Sequence, residues 1–192
     1  MPHLRGMIMK NPYVIGAKIY LRPLEKEDAP LFTAWFNDPE VRRSLNQYRP
    51  MSLHEEEEFL TKITQSEHDL ALGIVVKAGN KLVGATGLHR MDFKNRHASF
   101  GISIGDKSEW GKGYGTEATS LIVRHGFETL NLNRIWLYVF EDNPRAIHVY
   151  EKVGFKREGL LRQDRFHEGH YWDTILMSIL REEWDVDNHQ AR

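Results

Sequence analysis

Trp110-Gly111-Lys112-Gly113-Tyr114-Gly115-Thr116-Glu117-Ala118 is the stretch whose residue types and spacing most directly suggest chemistry. Glycine at alternate positions breaks any strand and leaves the backbone N–H groups unshielded. Thr116 to Phe127 then reads as a helix, with Ala118, Leu121, Ile122 and His125 on one face. A glycine turn feeding a helix N-terminus forms an anion cradle, because unpaired amides and about half a unit of positive dipole charge converge there. Phosphate or pyrophosphate is the natural guest. The spacing is not the dinucleotide fingerprint, which needs G-x-G-x-x-G. It is not a nucleotide P-loop either, since Gly113 stands where a Ser or Thr would have to hold magnesium. On the glycines alone, a structural turn and a phosphate cradle both remain open readings.

A second group lies further on. Asn143, Ala146, Ile147 and Tyr150 fall at i, i+3, i+4 and i+7 of a short helix and share one face. An amide, a small residue and a phenol on one stripe could carry a ligand's amides and a proton donor. The alternative is a core-facing helix with Tyr150 hydrogen-bonded inside. The ten histidines are scattered and form no H-E-x-x-H motif. His167-Glu168-Gly169-His170 reads better as a tight hairpin turn than as a metal site, and no metal is expected. There is no G-x-S-x-G nucleophile elbow.

The elements that must position these groups follow from periodicity and turn chemistry. Lys18 to Arg22 alternates as a first strand ending at Pro23. Asp28 is placed to cap a helix carrying Leu31, Phe32, Trp35 and Phe36, stopped by Asn37-Asp38-Pro39. Ser52 and Glu55 form a capping box for a second helix through Phe59, Leu60 and Ile63, whose run Glu55 to Glu58 reads as a solvated face. Leu72 to Lys77 and Lys81 to Met91 form a hairpin about Ala78-Gly79-Asn80, and Ala98 to Ile104 follows as a third antiparallel strand. After the glycine turn and its helix come a strand, Arg134 to Phe140, and a helix from Asn143-Pro144 to Gly154. Strands Phe155 to Asp164 and Tyr171 to Leu180 close the chain. The order is β-α-α-β-β-β-α-β-α-β-β.

At 192 residues, 41% hydrophobic and 28% charged, one globular domain with one core is expected over 1–192, with its body at 17–182 and residues 1–16 as an N-terminal extension. The net charge of −1 gives no electrostatic case for nucleic acid or an anionic membrane. The lack of cysteine excludes disulfides, thiolate metal sites and cysteine nucleophiles, and fits a reducing cytoplasm. No apolar run approaches the ~18 to 20 residues of a membrane span. Met1 to Gly16 lacks the apolar core and cleavage site of a signal peptide.

The glycine stretch together with Asn143-Pro144-Arg145-Ala146-Ile147-His148-Val149-Tyr150-Glu151-Lys152-Val153-Gly154-Phe155 resembles the GNAT superfamily of acetyl-CoA-dependent N-acetyltransferases. The branch it is most similar to holds ribosomal-protein N-terminal and spermidine acetyltransferases. A weaker likeness runs through Leu21-Arg22-Pro23-Leu24 and the Gly169 to Leu176 hairpin. The resemblance implies an α/β (α+β) fold with a mixed, largely antiparallel central sheet flanked by helices. It implies a cofactor-binding turn opened by Trp110, with the amides of Gly111, Lys112, Gly113, Tyr114, Gly115 and Thr116 on the coenzyme A pyrophosphate. The backbone of Ile102, Ser103 and Ile104 would pair with the pantetheine arm. Asn143, with Ala146 beside it, would meet the cofactor arm, and Tyr150 would donate a proton to the leaving thiolate.

The chemistry is consistent: a thiol of pKa about 8.5 leaves, and a phenol of about 10 can donate to it. Attack by a neutral amine makes a tetrahedral oxyanion that a backbone N–H can stabilise, with no covalent enzyme intermediate. Two departures from the family pattern stand out. Trp110 replaces a Gln or Arg, which matters little if the turn works through amides. Ser99 stands where many relatives carry a glutamate base. Glu141 is the replacement candidate, with His89 and Asp92 behind it. Glu141 also reads simply as a surface carboxylate at a strand end. The acceptor expected is a primary amine, a peptide N-terminus or a small molecule such as a polyamine, an amino sugar or an antibiotic. The rival readings are a coenzyme A-binding regulatory module without turnover, and a purely structural domain. Dimers are common in similar proteins, with Trp172 a candidate contact that core packing explains equally well.

Overall fold

The structure, a computed structural model, describes residues 9–184. Its strands are β1 (Val14–Ile15), β2 (Ile19–Pro23), β3 (Leu70–Val76), β4 (Lys81–Asp92), β5 (His97–Ile104), β6 (Arg134–Phe140), β7 (Lys156–His167) and β8 (His170–Leu180). Its helices are α1 (Ala29–Asn37), α2 (Pro39–Arg42), α3 (Leu53–Thr64), α4 (Tyr114–Glu128) and α5 (Pro144–Val153). The strands form one mixed, mostly antiparallel sheet in the order β1-β2-β3-β4-β5-β6-β8-β7. The expected succession holds, with the two-residue β1 and the one-turn α2 added to it; both are too short to leave a periodic signal.

Packing divides the chain into two compact units, with β4, β5 and α4 each beginning in one and ending in the other. The first comprises the chain up to Ser66, Ala71–Thr86 and Ile102–Leu121. Its core gathers Tyr20, Leu24, Ala29, Phe32, Leu60, Val75 and Leu82. Each such side chain taken out of water contributes roughly 1.5–3 kcal/mol. Ser52 and Glu55 form the expected capping box at the start of α3. Asp28 does not cap α1 with its side chain. Its carboxylate is taken by the buried Arg22, in a bidentate pair at 2.8 and 2.7 Å, and by the Glu25 N–H. A guanidinium fork satisfies both oxygens, so a charge-assisted pair displaces the cap. The acidic run on α3 is also not uniformly solvated. Glu56 is 1% exposed, because it shares a stripe with Leu60 one turn later.

The second unit comprises Glu67–Leu70, Gly87–Gly101 and the chain from Ile122 on. Ile135, Leu137 and Val139 are buried along β6, and Leu132, Met177 and Ile179 complete the same core. β5 runs parallel to β6 over His97–Ser99 against Arg134–Trp136. β6 in turn pairs antiparallel with β8 along its whole length. The β7–β8 hairpin turns at Glu168 and Gly169, both with positive φ (51° and 80°), as a two-residue hairpin turn requires.

Candidate active site

In the first unit, β5 delivers Ile102, Ser103 and Ile104, all half-buried, into a short 3-10 turn and then the glycine stretch. Gly111 and Gly113 have φ of +79° and +87°, a region a side chain enters only at a cost of about 1–2 kcal/mol. Helix α4 begins at Tyr114, two residues earlier than its apolar stripe suggests. Its first intrahelical bond runs from the Glu117 N–H to the Gly113 carbonyl, 3.1 Å. The amides of Tyr114, Gly115 and Thr116 therefore precede the helical ladder and project from its positive end. The Trp110 indole N–H donates to the Ile104 carbonyl at 2.8 Å, so the residue that departs from the family pattern ties the turn back to β5.

The Lys112 ammonium meets Glu109 at 2.7 Å. Lys81 bonds the same carboxylate at 2.9 Å, and Asp106 at 2.7 Å. Hydrogen bonds from Lys112 and Lys81 hold the Glu109 carboxyl below its ordinary range. The lysine charges are thus already engaged, and an anion at this turn meets backbone amides first.

In the second unit, Asn143 caps α5: its side-chain carbonyl accepts the Ala146 N–H at 3.1 Å. That leaves the Asn143 amide NH₂ as a donor and the Ala146 side chain as a small, half-buried surface. Tyr150 follows two turns later, 8% exposed. Its ring lies edge-on to Phe100 at 5.8 Å and near Phe155 at 6.0 Å. Burial pushes its phenol from an ordinary value near 10 up to about 12, so it is a neutral donor throughout the physiological range.

Glu141 is exposed and donates its N–H to the Asp173 carbonyl. It lines a groove of about 770 Å³ with Ile147, Glu151, Glu158 and Leu160 among others. Between Glu141 and Asn143, Asp142 is fixed by the buried Arg165 at 3.0 Å, whose guanidinium lies 3.9 Å from the Phe140 ring centroid. Sequence reading missed this brace on the β6–α5 turn, since its partners stand 23 residues apart. Among the described residues no cluster of His, Asp or Glu is arranged to hold a metal, and no helix is long and apolar enough to cross a membrane.

The profile of the Acetyltransferase (GNAT) domain matches residues 18–156. The spermidine N(1)-acetyltransferase of Escherichia coli is 32% identical over 177 residues, covering 86% of this chain and 88% of that protein. YdaF of Bacillus subtilis, which carries a ribosomal N-acetyltransferase name, is 35% identical over 104 residues, or 54% of this chain and 56% of its own. The crystal structure of spermidine N-acetyltransferase from Vibrio cholerae, in complex with CoA and spermine, superposes with a TM-score of 0.82 at 28% identity, covering 88% of this chain and 99% of that one. The chain belongs to the GNAT acetyltransferase family. It is an acyltransferase that moves an acetyl group to an amine.

Proposed function

We propose that this enzyme takes its acetyl group from acetyl-CoA and delivers it to a small polycationic primary amine, a polyamine such as spermidine. The observation that carries the donor assignment is the start of α4, where two glycines in positive φ present three helix-terminal amides to a pyrophosphate. In this reading the amides of Gly111 to Thr116 hold the pyrophosphate, that of Trp110 being taken by the Lys107 carbonyl at 3.2 Å, and the Ile102–Ile104 backbone lies along the pantetheine arm. The Asn143 NH₂ bonds that arm beside Ala146. Tyr150 hands a proton to the departing thiolate. Glu141, exposed at the end of β6, receives the first proton of the incoming ammonium. The polyamine assignment rests on the names of the similar proteins and on Glu141 in this groove, where the neighbouring Glu151 and Glu158 are already paired with Arg157 and Arg134.

The whole chain works as one acetyltransferase domain without a metal, nucleic acid or membrane partner. A cytoplasmic location is supported by the absence of cysteine. A homodimer is supported by Leu160, Leu161, Phe166 and Tyr171, large apolar side chains exposed on the β7–β8 hairpin. Trp172 is the weaker contact, being half-buried with its indole nitrogen enclosed. The test is a thiol-release assay with acetyl-CoA against spermidine, aminoglycosides and peptides with free N-termini. Spermidine is expected to give the highest kcat/KM. Stabilisation by acetyl-CoA with no thiol released for any amine would establish the non-catalytic module instead.

A further inference from the structure

Tyr150 accounts for the proton the thiolate needs, but attack also leaves a proton to be removed from the new C–N nitrogen. The side chains around Ser99 answer that need. Ser99 pairs in register with Trp136, and its neighbour Ala98 with Ile135. Ile135 faces Gly126 of α4, where its Cδ1 would meet an added Cβ at 2.8 Å. Ala98 and Phe100 therefore point toward α4 and Tyr150, while Ser99 and Gly101 point to the opposite face of β5.

On that opposite face stands His89 of β4. A Cβ built on Gly101 would lie 3.5 Å from both Cδ2 and Nε2 of the imidazole, so the ring edge is laid over the one residue of this strand with no side chain. One contact holds the ring itself, and two more fix its partner and its backbone. The other ring nitrogen, Nδ1, meets Asp69 Oδ1 at 3.2 Å. The same oxygen accepts the Arg90 N–H at 3.2 Å. The Ser99 hydroxyl donates to the His89 carbonyl at 3.1 Å. Arg90 has φ of +52° inside β4, a conformation that non-glycine residues hold only when the surroundings over-determine it. The kink turns the Arg90 N–H onto Asp69 and the imidazole onto β5. Ser99, which cannot itself take the proton, thus fixes the backbone of a residue that can.

We propose that His89 Nε2 is the proton acceptor for the attacking nitrogen, with Asp69 as its positioning residue. An ionised Asp69 can only accept, so Nδ1 carries the hydrogen and Nε2 keeps its lone pair. The side chains are 31% and 26% exposed, within reach of an entering substrate. Other titratable or charged groups around the pair are Arg90 on β4 itself, His68 beside Asp69, whose Nδ1 lies 2.8 Å from the Met91 carbonyl, and the Asp92–His97 pair, 3.7 Å apart where β4 passes into β5. From β5 the ring meets Gly101, and the uncharged Ser99 holds its backbone carbonyl.

The step balances. The amine nitrogen bonds the acetyl carbon and the carbonyl π pair moves to oxygen. The cationic nitrogen passes a proton to Nε2. The oxyanion then collapses, the C–S bond breaks toward sulfur, and Tyr150 protonates the thiolate from the other face of β5. The imidazolium returns its proton to water, and the phenolate takes one back.

This assignment rests on acetyl-CoA-dependent transfer, and the test separates the two. In the full chain, with acetyl-CoA and spermidine, His89→Gln is expected to lower kcat at neutral pH about 10²-fold. The KM for acetyl-CoA should be unchanged, and the acidic limb of the kcat/KM pH profile should be lost. Asp69→Asn is expected to cost less and to displace that limb. Parent-like kcat with the limb intact in His89→Gln would overturn the proposal. Independently of turnover, ¹⁵N NMR of the parent imidazoles should show His89 as the Nδ1–H tautomer, with the preference weakened in Asp69→Asn; an Nε2–H tautomer overturns it. A parent that releases no thiol with any amine sinks the donor assignment, while the tautomer still decides the role of His89.

Discussion

In the proposed reaction, the glycine turn at the start of α4 and the two faces of β5 act by different means. The turn uses backbone: its side chains are spoken for, Lys112 by Glu109 and Trp110 by the Ile104 carbonyl. What remains for a ligand is a row of amides whose direction is set by two glycines in positive φ. The β5 region uses side chains: Tyr150 is set against Phe100 on one face, and His89 against Gly101 on the other. Backbone recognition tolerates exchange of almost any side chain but no change of φ. Side-chain chemistry is the converse: the proposed roles of Tyr150 and His89 depend on the atoms they end in, even where, as at His89, a neighbouring kink at Arg90 aims them.

Removing those terminal atoms should have the largest effect on turnover. Tyr150→Phe keeps the ring that packs on Phe100 and Phe155 and deletes only the hydroxyl. Loss of a proton donor typically costs 10²–10⁴-fold, so kcat at saturating acetyl-CoA should fall by about that factor, with KM for acetyl-CoA little changed. Because the phenol is raised to about 12, the parent's kcat should show no alkaline limb from this group below about pH 10. A variant with parent-like kcat would place the donor elsewhere.

The turn should respond in the opposite parameter. Gly113→Asp forces a side chain into φ near +87° and sets a carboxylate among the amides proposed to bind a phosphate. Strain of about 1–2 kcal/mol with added charge repulsion predicts a rise in the acetyl-CoA KM of about 10–100-fold, with a smaller change in kcat. Gly113→Ala should show the strain component alone, since no atom lies within 4 Å of an added Cβ. Equal KM values for Gly113→Asp and the parent would mean that the turn is structural only.

The same contrast explains what sequence disclosed. The turn is contiguous, so the turn-forming glycines Gly111 and Gly113 and the helix after them could be read directly from spacing, while the turn's role could not. Asn143, Pro144 and Gly154 bound α5 where capping chemistry puts them. The Arg165–Asp142 brace and the Asp69–His89 pair were not legible, because each joins residues some twenty positions apart through sheet pairing. Asp28 and Glu56 misled for a related reason. Local pattern assigns a carboxylate to a cap or a solvated face, and only tertiary packing shows that Arg22 or Leu60 claims that position.

Glu56 supplies the smallest effect on turnover and tests whether the comparison concerns chemistry or mere stability. It lies in the first unit, outside both groups, 1% exposed, and burial pushes its carboxyl from an ordinary 4.5 up to about 7. The folded state then holds a proton that the unfolded state has released between these two values. The Glu56 contribution to the unfolding free energy therefore falls as pH rises from about 4.5 to about 7, and levels off above. The shift bounds the loss at roughly 3 kcal/mol. Glu56→Gln, which keeps the shape and cannot ionise, should flatten that slope in urea melts at pH 5 and pH 8, and should leave kcat at the parent value. Equal slopes for the parent and Glu56→Gln across the interval would show that Glu56 ionises freely in the fold. A variant that loses turnover would extend the reacting region into α3, beyond the two that differ so plainly in how they work.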